Sequence, residues 1–203
     1  MVSRRSIGAL LAVSVAAAGH LAAFQRISKQ DGDRFQAKLT RIVLFGNTPA
    51  APGRKASQTT ELTDDELNSY LRFHARDQIP AGIVDPTLNA LGDGRVGGRV
   101  IVDLDAVRAQ KQRGWLDPMA YLTGKLPVTA TGTLTTKDGV GRFQLESAEV
   151  SGITVPKSLI QELLTHYSRT PEQPQGISMD DPFELPSSIK EIRVGKAQSV
   201  VVQ

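Results

Sequence analysis

Hydrophobic and polar positions along the chain alternate with a period of two over much of its second half and with a helical period at three places. The alternation is sharpest where Leu126, Val128, Ala130, Gly132 and Leu134 interleave with Thr129, Thr131, Thr133 and Thr135. A strand with one solvated face needs this pattern, and β-branched threonine suits that face. Lys137-Asp138-Gly139 supplies hairpin chemistry, and Phe143 and Leu145 continue the return strand. The apolar set then changes parity to Ala148 and Val150, which predicts a β-bulge near Glu146–Ser147. Val96, Gly98, Val100, Val102 and Leu104 alternate upstream. Ile189–Val194 and Ala197–Val202 read as a final hairpin about Gly195-Lys196. Together these make about five strands.

Helical spacing of Phe35, Leu39, Ile42 and Val43 predicts a helix over 34–45, with Asp33 as N-cap and Gly46 as terminator. Thr63-Asp64-Asp65-Glu66 has the form of a capping box, its acidic first turn suiting the helix dipole. Leu67, Tyr70, Leu71 and His74 then share a face of a helix ending near Asp77. Asn68 lies on another face, where it can bond to a neighbouring loop. Pro156 suits a first helical position, and Leu159, Ile160, Leu163, Leu164 and Tyr167 form a wide apolar stripe behind it. Residues 106–123 break the strand pattern and predict short helical turns around Pro118. Residues 169–186 carry four prolines and predict a nonregular flap pinned by Met179, Phe183 and Leu185. Runs of antiparallel strands with separate helices define an α+β class: a curved antiparallel sheet of about five strands packed against one or two long helices.

The N-terminus changes the picture. Arg4 and Arg5 precede an uncharged run from Ile7 to Ala18, followed by small residues: the layout of an export signal, or, carried on to Phe24, of an N-terminal anchor. We therefore divide the chain into residues 1–23 as signal peptide or membrane anchor, 24–58 as a basic helix and linker, and 59–203 as a single α+β domain. The body is expected outside the cytoplasm, in the periplasm or at the cell surface. The formal charge of +3 resolves accordingly: Phe24–Gln58 holds seven basic residues against two acidic ones, whereas Thr59–Gln203 holds 15 against 19. The basic character belongs to the arm, where it suits anionic headgroups beside a membrane. A body of net −4 removes most of the case for nucleic acid, and we expect none as partner.

Candidate chemistry is sparse. The absence of cysteine excludes disulfides, a thiol nucleophile and a Cys-ligated metal. No nucleophile elbow, zinc-binding His-Glu-x-x-His or phosphate-cradling loop is present. Gly92-Asp93-Gly94 precedes a strand rather than a helix and reads as a turn. Asp103-x-Asp105 has no third ligand nearby, and His166 with Ser168 has no placed acid. We expect no catalysis, no metal and no cofactor.

An export signal, a helix starting Leu62-Thr63-Asp64-Asp65-Glu66-Leu67-Asn68, β-hairpins, and Val150-Ser151-Gly152-Ile153-Thr154-Val155-Pro156 entering a Leu-rich helix resemble bacterial extracytoplasmic lipid-binding proteins of the tubular lipid-binding (TULIP-like) type, LmeA-like or YpmS-like. The resemblance covers about residues 60–167, and the segment from Asp181 onward matches nothing in those families. It implies a concave sheet and a long helix holding an acyl chain, without catalysis. The candidate lining is Val100, Val102, Val128, Leu134, Phe143, Leu145, Leu159, Ile160, Leu163 and Leu164. The residues alone leave two uses open for these side chains: lining a site for a lipid or other long apolar molecule, or filling a core. The expected partners are an apolar ligand and the membrane surface, met through residues 7–24 and the basic arm. The alternative is a membrane-anchored scaffold or interaction subunit of an envelope complex.

Overall fold

The computed structural model describes residues 26–48, 57–110, 123–169 and 174–203. The predicted export segment and the turns around Pro118 lie outside the described residues. In chain order the elements are α1 (Lys29–Asn47), β1 (Thr59–Thr63), α2 (Asp64–Phe73), a 3₁₀ turn (Arg76–Gln78), β2 (Ile83–Gly92), β3 (Arg95–Asp103), α3 (Leu104–Gln110), β4 (Lys125–Lys137), β5 (Val140–Val150), β6 (Ile153–Thr154), α4 (Lys157–Tyr167), β7 (Phe183–Glu184), β8 (Glu191–Val194) and β9 (Gln198–Val202). The class is α+β, with all pairings antiparallel. The strands form two sheets: a six-stranded one in the order β2-β3-β4-β5-β6 with β7 also on β5, and a three-stranded one in the order β1-β9-β8.

The hairpins follow their turn chemistry. Asp93-Gly94 and Asp138-Gly139 both adopt positive φ at each residue, as a tight turn matched to strand twist requires. The bulge falls where the parity change places it: Thr131 pairs with Ser147 and Gly132 with Leu145, so Glu146 is the extra residue. Glu146 accepts from the Thr133 hydroxyl at 2.6 Å and from Arg95 Nε at 3.0 Å. These partners, the hydroxyl foremost, hold its carboxyl below the ordinary glutamate range.

Several elements differ from the pattern reading: α2 ends at Phe73 rather than near Asp77, and the two-residue strands β6 and β7 lie outside the predicted strands. The first helix starts five residues earlier, because Ser28 rather than Asp33 accepts the capping bond, from the Asp31 amide. Asp33 instead lies 2.8 Å from His74 Nε2, close but not aligned as a hydrogen bond. Strand β1 is a short, mostly polar segment that shows no alternation of its own. Strand β2 contains Asp85-Pro86, which interrupts its periodicity, and its register slips between Val84 and Thr87. Pro cannot donate to a ladder, so a sequence reading discards such a run.

Side chains complete the pairing where backbone does not. The capping box of α2 forms in both directions, Glu66 amide to Thr63 Oγ1 and Thr63 amide to Glu66 Oε2. One turn further, Asn68 donates to the carbonyls of Asp64 and Leu88 at 2.8 and 2.7 Å and accepts from the Leu88 amide at 2.8 Å. It thereby acts as a strand neighbour for the outer edge of β2. Both Asp64 carboxylate oxygens accept from the Ala90 amide, while the Ala90 carbonyl accepts from Ala197. The two sheets are stitched together at this point. Thr136 plays the same part at the other seam, its hydroxyl pairing with both the amide and the carbonyl of Ile192.

Helix α1 is packed into this frame rather than standing apart from it. Phe35 and Ile42 are buried, Phe35 lies 5.1 Å from the Tyr70 ring, and Lys38 pairs with Glu66 at 2.6 Å. Ile42, Ile189 and Val201 form the central buried cluster, with Leu62, Leu185 and Ile192 against it.

Burial raises the Asp64 carboxyl above its ordinary 3.8, with Asp65 adding in the same direction and the Ala90 amide opposing. Titration followed by carboxyl NMR should place Asp64 above 3.8 and Glu146 below 4.5. The signs differ. Asp64 favours the folded state below its unfolded value and withdraws that support as pH rises through its raised one. Glu146 supports folding above its unfolded value and loses that support as pH falls through its depressed one. An ordinary value for Asp64 would mean that its carboxylate is not enclosed at the seam.

Candidate ligand-binding site

The register puts Val100 opposite Val128, Val102 opposite Leu126, Leu134 opposite Phe143 and Gly132 opposite Leu145. Directly paired residues project to the same side of a sheet. The six predicted sheet positions, Val100, Val102, Val128, Leu134, Phe143 and Leu145, therefore share one face. Gly132 leaves room there for the Phe143 ring, and Gly141 leaves room for Phe183. Every one of the six is half-buried, Val100, Val102, Val128 and Leu134 on the interior strands β3 and β4, Phe143 and Leu145 on the stretch of β5 between its short pairings with β7 and β6. The buried hydrophobics of the six-stranded sheet, among the described residues, are only Ala90 and Ala148.

Helix α4 approaches this sheet chiefly at β5. Ile160 and Leu164 are half-buried on it, Leu159 is 46% exposed, and the Leu163 side chain lies outside the described part of the structure. The segment after the helix straps back along it. Gln161 donates to the Ile177 carbonyl and accepts from the Met179 amide, and Lys157 pairs with Asp180. The predicted flap is thus held to α4 by polar bonds, while Leu185 joins the central cluster.

A second feature was not legible in the sequence. Between α2, the 3₁₀ turn and β2 runs an open groove of about 690 Å³, walled by Ile27, Leu71, Ile79, Ile83, Val84 and Pro86, with Arg72, Arg76 and Asp85 at its polar positions. None of the predicted lining residues reaches it. Its walls come from a stretch with no periodicity, and its one sequence trace is the Arg72/Arg76 pair at helical spacing before Pro80. The Asp103 and Asp105 carboxylates are occupied by backbone amides, Ala106 and Gly124 respectively. Among the described residues no cluster of three or more His, Asp or Glu could hold a metal, and no helix is long and apolar enough to cross a membrane.

No protein-family model matches the chain, and no curated protein matches its sequence. Among solved structures, a lipopolysaccharide binding protein aligns with a TM-score of 0.22 and 15% sequence identity, over 77% of this chain and 45% of that one. The chain thus spans less than half of that protein's length.

Proposed function

We propose that this protein is an extracytoplasmic, non-catalytic module that binds or carries a lipid or another long apolar molecule. The observation that carries the reading is the apolar sheet face of Val100, Val102, Val128, Leu134, Phe143 and Leu145, half-buried along three neighbouring strands. A sheet face that only filled a core would be sealed, since protein interiors are close-packed. Helix α4, which approaches the sheet at β5, carries the half-buried Ile160 and Leu164. The export layout of Arg4, Arg5 and residues 7–24 supports the location, and the quoted likeness of residues 60–167 to tubular lipid-binding proteins supports the ligand class.

Native mass spectrometry of the full chain purified from membranes should show a co-purified apolar molecule. In Leu145→Arg its occupancy should fall at least about tenfold, because an apolar ligand would then have to contact a charged group. Protein that is ligand-free, and carries a stoichiometric protein partner instead, would replace this reading with that of an envelope scaffold.

A further inference from the structure

We propose that the groove between α2 and β2 is a separate site for a single-chain anionic amphiphile of the fatty-acid type. Its walls and its rim have different chemistry. Leu71, Ile79, Ile83, Val84 and Pro86 give an apolar trough, and about 690 Å³ falls within the usual size of a small-molecule site, roughly 300–1,000 Å³. The rim is cationic. Arg72 and Arg76 stand one helical turn apart, and Arg76 Nε donates to the Arg72 carbonyl at 2.8 Å. That bond orients the guanidinium and leaves its two terminal nitrogens without a partner among the described residues. A guanidinium presents such nitrogens as a fork that fits a carboxylate.

Asp85 shows what the rim accepts. Its carboxylate pairs with Arg72, and its backbone lies in the left-handed region at φ +46°. The bulge at Asp85-Pro86 thus brings an internal carboxylate to the cation, in the position a ligand's head group would take. The same bulge decides against a peptide strand as occupant. Pro86 lacks an amide, the register is broken between Val84 and Thr87, and Asn68 and Asp64 already occupy the edge at Leu88 and Ala90. What remains suits an extended apolar chain with one anionic end.

The experiment is calorimetric titration of dodecanoate into the full chain held in phosphatidylcholine nanodiscs, with empty discs as blank. We expect saturable one-to-one binding. Arg76→Gln and Arg72→Gln should each weaken it about tenfold, the effect of losing a charge-assisted hydrogen bond. Arg76→Lys should restore part of the loss. Asp85→Asn should tighten binding about threefold by releasing Arg72, a gain that no purely structural role of the ion pair produces. Ala81→Trp, at an exposed position on the groove wall, should abolish binding while the protein melts within a few degrees of the parent. Equal affinity for dodecyl maltoside, or indifference to the arginines, would overturn the anionic site. Dodecanoate binding that survives Ala81→Trp but is lost in Leu145→Arg would move the ligand to the sheet face; it would overturn the groove and leave the proposed function standing. Saturable transfer of phosphatidylglycerol from vesicles with no dodecanoate binding would equally sink the single-chain assignment.

Discussion

Asn68→Ala is expected to destabilise the protein by about 3 kcal/mol. The side chain is 2% exposed and makes three hydrogen bonds, all to backbone. Two of them serve the amide and carbonyl of one strand residue, Leu88. Truncation removes the only partners shown for those groups while the helix still covers them, so the desolvation cost stays and the compensation goes. For a chain of this size that corresponds to a fall in Tm of about 6–12 °C. Asn68→Asp should be no better, since a carboxylate keeps the acceptor for the Leu88 amide but faces the carbonyls of Leu88 and Asp64 with no donor. Gln144→Ala, exposed on β5, should stay within about 0.5 kcal/mol and serves as the control. Thermal melts of the three variants decide the matter. If Asn68→Ala melted with the control, α2 would not be the partner of the β2 edge.

Gly46→Ala should cost a comparable amount, about 3 kcal/mol, by a steric route. A Cβ at this position would enter the carbonyl group of Ser187 and crowd its Cα. The obstacle is backbone and has little freedom to move. Ser187 and Ser188 both adopt positive φ, the Ser187 carbonyl accepts from the buried Gln203 side chain at 2.6 Å, and Ser188 Oγ bonds the Gly46 carbonyl at 3.2 Å. Gln203 Nε2 also reaches the Ile42 carbonyl at 2.9 Å, so the end of α1, the loop before β8 and the end of β9 share one polar knot. The substitution should lift the last turn of α1 away from Ile189. Hydrogen exchange should therefore accelerate at α1 amides before those of β4 and β5. Gly195→Ala is the contrasting case. Its nearest neighbours would lie at 3.4 and 3.7 Å, ordinary contact, and the cost should stay below about 1 kcal/mol. Equal melting of the two alanine variants would contradict the packing at Ser187.

Where local chemistry decides local structure, the sequence was readable. The Thr63–Glu66 capping box, the Asp138-Gly139 turn, the parity change at Glu146 and the hairpin about Gly195-Lys196 all appear where their residues place them. What escaped depends on partners distant in the chain. Strand β1 is stabilised by β9, some 140 residues away, and carries no pattern of its own. Strand β2 hides behind Asp85-Pro86. The seams between the two sheets use single side chains, Asp64 and Thr136, that look like ordinary helix-start and strand residues, beside backbone bonds such as that from Ala197 to Ala90. Alternation did give the shared apolar face, because pairing preserves parity. Alternation cannot tell whether that face is sealed, and it gave no hint of a groove built from a turn, a bulge and the approach to α1.

The docking of α1 also sets how the molecule would carry load. Tension applied to the chain ahead of Arg26 enters at Arg26 and Ser28, whose amides donate to the Asp65 carboxylate and the buried Ser69 hydroxyl. It is then shared along α1 by the Phe35–Tyr70 contact and the Lys38–Glu66 pair, all anchored on α2. From α2 it passes through Asn68 and Asp64 into the edge of β2. A body held to a moving surface by its N-terminal segment would pass that load to its large sheet through the α1–α2 joint and the β2 edge.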